Sequence, residues 1–456
     1  MSELADFLRS RLGVGAHVID DSDALAPYAH DESGIGRFVP TCAVQARHAE
    51  DVQAVLAVSR ERRVPVIPRG AGTGKAGAAL AEQGGIVLSL ERMNRILEIS
   101  PEDGVAVVEP GVILKTLMDA VEARGLFYPP DPNSLNACSI GGNIAHNAGG
   151  PRALKYGVTA DYVLGLKAVL PSGELIRTGH RSIKGVAGLD LTHLIVGSEG
   201  TLAIVVEATL QLLPLPRRVE TGLALFPSEA HAAQAVLNIF ADGHLPRACE
   251  LFDAASMRLV TPKAPFKFPE GVGGALLFEF DGNGDQVADE LVRAGELCTA
   301  AGALTVLAAQ SDAQRRQMWE TRRLVSVAMM EAKPHKISED VAVPRGKLVE
   351  MIAEARRIGE RHGIATASYG HAGDGNLHVN LLFNSAAERA AGQAAIDEVL
   401  RAALALGGTI TGEHGVGIAK RAFLPLELGA EVMALQRRLK AAFDPENLLN
   451  PGKVLG

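Results

Sequence analysis

Val64-Pro-Val-Ile-Pro-Arg-Gly-Ala-Gly-Thr-Gly-Lys-Ala-Gly77 runs from a short β-prone stretch into a loop carrying four glycines. Closely spaced glycines after a strand let backbone N–H groups turn inward onto an anion, so a pyrophosphate is the natural guest. Three kinds of ligand compete for such a loop. A mononucleotide P-loop needs Gly-x-x-x-x-Gly-Lys-Ser/Thr, and here Arg69 stands at the first glycine and Ala76 at the hydroxyl, which excludes it. A Rossmann dinucleotide site fits better, because Gly72-x-Gly74-x-x-Gly77 follows a strand and Glu91 closes the next one about twenty residues on. Against it, the helix expected over 75–83 is short, and 98–110 reads as a meander rather than a further parallel unit. The third reading is a flavin dinucleotide held by two glycine loops. Gly141-Gly-Asn-Ile-Ala-His-Asn-Ala-Gly-Gly150 is the second loop, and only this reading employs both.

A chain of 456 residues exceeds what one hydrophobic core usually serves, and its 47% hydrophobic content is ample for two or three. The net charge of −8, interspersed signs and only 4% aromatic residues argue against nucleic acid as a partner. Cys42, Cys138, Cys249 and Cys298 show neither Cys-x-x-Cys spacing nor disulfide-scaffold density, so reduced thiols are expected. The N-terminus lacks the basic and apolar regions of a signal peptide, and no apolar run is long enough to cross a bilayer. A cytoplasmic protein is expected, with peripheral docking at a membrane left open.

Helix and strand patterns alternate along the chain. A helix opening at Glu50 and strands over 64–67, 85–90, 162–170 and 202–213 precede a proline-rich boundary at 214–218. Beyond it, strands over 221–226, 250–253 and 275–280 alternate with helices over 230–241 and 285–301, a pattern consistent with a ferredoxin-like α+β domain. A long amphipathic helix follows over 312–332.

The second chemical signal is Tyr369-Gly-His-Ala-Gly-Asp-Gly-Asn-Leu-His-Val-Asn380, followed by Thr411-Gly-Glu-His-Gly-Val-Gly417. Asp374-Gly375 favours a two-residue hairpin turn, which would set His371 directly opposite His378, close enough to share one divalent ion. Glu413 is the third ligand in this reading. Two histidines and one carboxylate leave coordination positions open, which suits catalysis rather than structure; zinc, manganese and iron all fit the donor set. Asn376 and Asn380 fall on the face of His378, and Gly412, Gly415 and Gly417 permit irregular backbone beside Glu413. The plainer alternative is a histidine pair across an exposed hairpin.

Taken together, these stretches resemble the FAD-linked oxidase family of the vanillyl-alcohol oxidase type, in its D-2-hydroxyacid dehydrogenase branch. Further motifs that carry the likeness are Pro129-Pro-Asp131, Gly197-Ser-Glu-Gly-Thr201 and Asn450-Pro-Gly-Lys453. The resemblance implies an α+β protein: a two-subdomain FAD-binding domain of the PCMH type over 1–217, a cap domain with the histidine hairpin over 218–407, and a segment over 408–456 that returns to the first domain. It assigns the pyrophosphate to Arg69, Gly70, Ala71, Gly72, Thr73 and Gly74. The rest of the cofactor falls to Pro130, Asp131, Ser134, Gly141, Gly142, Asn143, Asn147, Glu199, Ile204 and Asn450. No histidine lies in the first loop, so a non-covalent flavin is expected.

Oxidation of a 2-hydroxy acid removes a hydride from carbon and a proton from the hydroxyl. His414, next to the ligand Glu413, is the candidate general base. By resemblance, Trp319-Glu-Thr-Arg322 supplies the arginine for the substrate carboxylate, a bidentate partner; Arg323 is the rival and points about 100° away on a helix. Ser326 lies one turn after Arg322, and Lys336 and Asn380 complete the candidate substrate residues. The spacing around Lys336 departs from the hydroxyglutarate-specific pattern and favours a D-lactate-like or glycolate-like acid. A nicotinamide-dependent Rossmann dehydrogenase and a flavin carrier without substrate chemistry are the competing readings. Without iron–sulfur cysteines, electrons are expected to pass to an electron-transfer flavoprotein, a quinone or a companion subunit; the oligomeric state, a homodimer included, is left open.

Overall fold

The glycine loop emerges from a small sheet. In the computed structural model, which describes residues 2–13 and 15–456, β1 (His17–Ile19), β2 (Cys42–Gln45), β3 (Val66–Arg69) and β4 (Ile86–Ser89) lie in the order β1-β2-β4-β3. β4 runs parallel to β2 and β3, while β1 is antiparallel to β2. Parallel neighbours need a crossover, usually a helix. Between β3 and β4 there is none: residues 75–83 form turns instead of the expected short helix. Without that helix the Rossmann unit is not built, and the nicotinamide reading fails.

The meander expected over 98–110 forms as the hairpin of β5 (Ile96–Ser100) and β6 (Val105–Val108). A short ribbon pairs β7 (Leu126–Phe127) with β11 (Leu213–Pro214). With β8 (Val163–Val169), β9 (Leu175–Gly179) and β10 (Ile204–Gln211), the hairpin makes a five-stranded antiparallel sheet in the order β5-β6-β10-β8-β9. The helices of this region are α1 (Glu3–Arg11), α2 (Ala49–Arg62), α3 (Leu114–Glu122), α4 (Ile140–His146), α5 (Ala153–Tyr156) and α6 (Leu191–Ile195). α2 starts where the Asp51 carboxylate accepts the Arg47 and His48 amides, and it ends at Arg63 in the left-handed region. Its apolar face packs Val52, Val55 and Leu56 with Val44, Ile86 and Leu88. Each such side chain contributes about 1.5–3 kcal/mol on full burial.

The chain divides into two compact units, the first comprising 1–149, 157–215 and 413–456, the second 150–156 and 216–412. The second unit has one antiparallel seven-stranded sheet. Along the chain run β12 (Arg218–Phe226), α7 (Glu229–Ala241), β13 (Ala248–Phe252), α8 (Ala254–Val260), β14 (Gly274–Gly282), α9 (Gln286–Ala300) and β15 (Thr305–Ala308). They are followed by α10 (Asp312–Ala332), β16 (His335–Ala342), α11 (Leu348–His362), β17 (Ala365–His371), β18 (Asn376–Phe383) and α12 (Arg389–Ala405). The strand order β15-β12-β14-β13 is the ferredoxin-like arrangement expected from the alternating pattern, and β17-β18-β16 extend it. Met257 and Val260 of α8, with Met318, Val325 and Met329 of α10, pack with Leu223, Leu277 and Tyr369 of the sheet.

The C-terminal segment belongs to the first unit. α13 (Leu424–Phe443) leads to a tail whose Leu449 bridges to Val66 of β3, and Lys440 donates to the carbonyls of Thr201 and Leu449. All four cysteines are buried and unbridged. No helix among the described residues is long and apolar enough to cross a membrane.

Candidate active site

The first unit contains a cavity of about 490 Å³, within the range of cofactor sites. Arg69, Gly70, Ala71, Gly72, Thr73 and Gly74 line it, as do Ser134, Gly141, Gly142, Asn143, Glu199 and Ile204. The two glycine-rich stretches meet there, since a Cβ on Gly70 would fall onto Ser139 Oγ. Gly141 and Gly142 are not in a loop, as the glycine density suggested, but in the first turn of α4. A Cβ on Gly141 would come within 2.6 Å of Pro110 Cβ, so glycine is kept for close packing. Among the described residues, the backbone N–H groups of Ala71, Gly72, Thr73 and Gly74 have no acceptor in the chain. The same holds for three buried side-chain atoms of the lining, Arg69 Nη1, Asn143 Nδ2 and His146 Nδ1. Such concentrated unmet hydrogen bonding is uncommon inside proteins. It fits a large, polar, phosphate-bearing cofactor such as FAD.

Pro130, Asp131, Asn147 and Asn450 lie outside the cavity lining. Asn147 accepts the Ala160 amide, and Asn450 Nδ2 donates to the carbonyls of Ala78 and Glu199, so these two brace the wall from behind. Glu199, at a positive φ of 51°, accepts from the amides of Val416 and Gly417 at 2.7 and 2.8 Å. It thereby fixes the turn after Glu413 and His414, which both line the cavity.

The second unit gathers the remaining candidates on one face of its sheet. The hairpin register differs from expectation. Tyr369, not His371, is opposite His378. A two-residue turn of the expected kind needs positive φ at both central residues, and of Asp374 and Gly375 only Gly375 has it. The connection is therefore longer, spanning 372–375, and His371 lies diagonal to His378. Diagonal neighbours remain within reach of aromatic side chains. The two imidazoles stand edge to face with centroids 5.4 Å apart, and their ligand nitrogens lie within 4.8 Å of each other. Both rings are buried, so the pair is not an exposed hairpin decoration.

Arg322 of α10 faces the sheet and is buried, whereas Arg323 faces outward onto Glu320. The Arg322 guanidinium stacks 4.5 Å from the centre of the Tyr369 ring and donates through Nε to Glu250 at 2.6 Å. Lys336 Nζ donates to Ser326 Oγ at 2.9 Å, so both candidates meet on this face, and the lysine is half-buried rather than a solvated surface charge. Asn380 is fully buried; its Nδ2 donates to the carbonyls of Ala367 and His378, which makes it a brace for the hairpin.

Two carboxylates were not picked out from the sequence. Glu250, 0% exposed in the middle of apolar β13, accepts from His371 Nδ1 at 2.5 Å as well as from Arg322. Burial alone would push its carboxyl up, but the charges of His371 and Arg322 and their hydrogen bonds more than offset this and hold it at about 2. A lone acid inside Ala248-Cys-Glu-Leu-Phe252 was the available signal, because a buried charge requires a partner. Asp340, the register partner of His378, accepts from Thr411 Oγ1 and the Gly412 amide, both at 3.0 Å. The chain next supplies Glu413 and His414, whose side chains lie 3.8 Å apart. His371 and His378 are two imidazole donors of the kind that hold a divalent ion, and Glu413 follows the anchored Gly412 in the chain.

Residues 215–454 match the family of FAD linked oxidases, C-terminal domain, and residues 40–179 match the FAD binding domain family. The glycolate oxidase subunit GlcD of Bacillus subtilis is 41% identical over 445 residues, covering 96% of this chain and 94% of the relative. D-lactate dehydrogenase of Archaeoglobus fulgidus is 37% identical, with 90% of each chain covered. D-2-hydroxyglutarate dehydrogenase of Stutzerimonas stutzeri is 33% identical over 99% of this chain and 98% of the relative. Among solved structures, alkyldihydroxyacetonephosphate synthase superposes with a TM-score of 0.77 at 19% identity, covering 99% of this chain and 86% of that one. At that identity the likeness speaks for the fold alone.

Proposed function

The chain belongs to the FAD-linked oxidases, and from that membership we propose that it is a metal-assisted dehydrogenase converting a D-2-hydroxy acid, D-lactate-like in size, to the 2-oxo acid. The observation that carries the reading is the path of one short segment. Gly412 is pinned by Asp340 beside His378, and the next two residues, Glu413 and His414, line the cofactor cavity.

Bound FAD supplies the hydride acceptor, and a divalent ion at His371, His378 and Glu413 supplies Lewis acidity. The amides of Ala71 to Gly74 hold the pyrophosphate, with Arg69, Ser134, Gly141, Gly142, Asn143 and Ile204 around the rest of a non-covalent flavin. Pro130, Asp131, Asn147 and Asn450 support that wall. Arg322 grips the substrate carboxylate in a planar, charge-assisted pair, with Ser326 and Lys336 at its side and Asn380 stiffening the hairpin. His414 accepts the hydroxyl proton on a ring nitrogen. The two electrons leave for a separate acceptor: an electron-transfer flavoprotein, a quinone or a companion subunit.

D-2-hydroxyglutarate is the second reading, and Lys336 favours it, because its ammonium bonds Ser326, the residue one helical turn after Arg322, and suits a second carboxylate. Glycolate enters on the GlcD relative. A dye-reduction screen of the purified protein against glycolate and both enantiomers of lactate and 2-hydroxyglutarate, with and without chelator, separates these. The expected result is a yellow protein turning over D-lactate fastest, silenced by chelation and restored by Zn²⁺. Undiminished turnover after rigorous chelation removes the ion from the reaction.

A further inference from the structure

Glu250 does more than neutralise a neighbour. Its two oxygens face two different functional groups: Oε1 accepts from His371 Nδ1 at 2.5 Å, and Oε2 accepts from Arg322 Nε at 2.6 Å. Register sets the first contact, since Glu250 and His371 are direct partners across β13 and β17. Helix packing sets the second, since α10 carries Arg322 over that face. We propose that Glu250 is a positioning residue that orients one metal ligand and the substrate arginine together. The inference rests on the reading of His371 as a ligand and of Arg322 as the carboxylate holder.

The chemistry on each side is specific. A proton held on Nδ1 by a carboxylate puts the imidazole lone pair on Nε2, fixes the ring plane and raises the basicity of that nitrogen. A guanidinium is rigid and planar, so anchoring Nε, with Tyr369 stacked on one face, sets the plane in which it meets a carboxylate. One acid therefore relates the direction of the ion to the direction of the substrate carboxylate.

The same sheet provides a matched control. Glu279 of β14 is also buried and also paired with an arginine, accepting from Arg247 Nε at 2.6 Å, Trp319 Nε1 at 2.9 Å and Thr221 Oγ1. Its partners Arg247, Trp319 and Thr221 are not among the proposed site residues. A residue that only satisfies buried charge behaves like Glu279.

The test is calorimetric titration of Zn²⁺ into the metal-stripped, FAD-loaded full chain, followed by KM and kcat for the best acid of the screen. Wild type and E279Q are expected to bind one equivalent equally well. E250Q is expected to bind Zn²⁺ about 10–100-fold more weakly with unchanged FAD content, and its KM is expected to rise together with a fall in kcat. Should E250Q not fold, E250D decides: it keeps the charge but draws the carboxylate back by one methylene, and weaker Zn²⁺ binding is again expected. Wild-type Zn²⁺ affinity in the folded Glu250 variants, with only a loss of Tm like that of E279Q, overturns the inference alone. A wild-type chain that binds FAD but no Zn²⁺ overturns the metal reading and the inference with it.

Discussion

The two units build the proposed cofactor and substrate sites from opposite materials. In the first, the cavity is made of backbone: consecutive amides of Ala71 to Gly74, and glycines whose missing Cβ atoms let Gly70 meet Ser139 and Gly141 meet Pro110. In the second, the site is made of side chains on an apolar sheet, with Glu250, Arg322 and His371 in one buried network and Lys336 and Ser326 beside it. A backbone cradle suits a large, invariant cofactor, because it offers donors without side-chain entropy to lose. A side-chain site suits a small acid, whose recognition depends on where two or three charges stand. Cofactor and substrate recognition should therefore fail separately.

The largest expected effect is that separation. H378A should lower kcat/KM by more than about 100-fold, since a ligand costs more than the outer groups that orient it, while FAD content by absorbance stays at one per chain. G141A should do the reverse, shedding FAD while the histidine pair keeps its Zn²⁺ capacity. Loss of both properties in either variant would break the comparison. R322K is expected to come next. It keeps a cation near Glu250 but loses the planar grip, and a loss of about 1.4 kcal/mol raises KM about tenfold. An unchanged KM would place the substrate carboxylate elsewhere.

The smallest effect is acid sensitivity, which sharpens the contrast because the paired carboxylates of Arg247 lie in the second unit. Burial would raise Glu279 and Asp281, but the charge of Arg247 together with hydrogen bonds from Arg247, Thr221 and Trp319 to Glu279, and the charge and hydrogen bond of Lys155 at Asp281, more than offset this and hold both below their ordinary values. Depressed carboxyls contribute stability above their unfolded values of about 4 and lose it as pH falls towards the folded ones. The single tryptophan, Trp319, donates to Glu279 and reports the event directly. Its fluorescence is expected to show the second unit loosening below about pH 4, and E279Q should flatten that dependence. An identical acid limb in E279Q would show that other groups carry it.

Local patterns were legible where the cause is local. The glycine runs marked both walls of the cavity, the alternating strand and helix pattern marked the ferredoxin-like part, and the helix over 312–332 formed with those bounds. Resemblance, not spacing, pointed to Arg322; only the packed helix shows that Arg322 is buried against the sheet while Arg323 faces outward. The hairpin register was misjudged, because the Asp-Gly turn preference gave way to a longer connection in which Gly375 packs against the Val343 carbonyl. The expected helix over 75–83 did not form, and Gly77, at a positive φ of 78°, sits inside that segment where a helix would oppose it.

By itself the sequence determined two glycine-rich stretches and an α+β chain of the FAD-linked oxidase kind, and it marked His371, His378 and Glu413 as a candidate donor set, because spacing and residue type act over a few neighbours. Only the tertiary structure decided that Glu250 joins His371 to Arg322 and that Asp340 holds the segment leading to Glu413. Those pairings link residues 72 to 121 positions apart, and strand register and helix packing, not local preference, choose such partners.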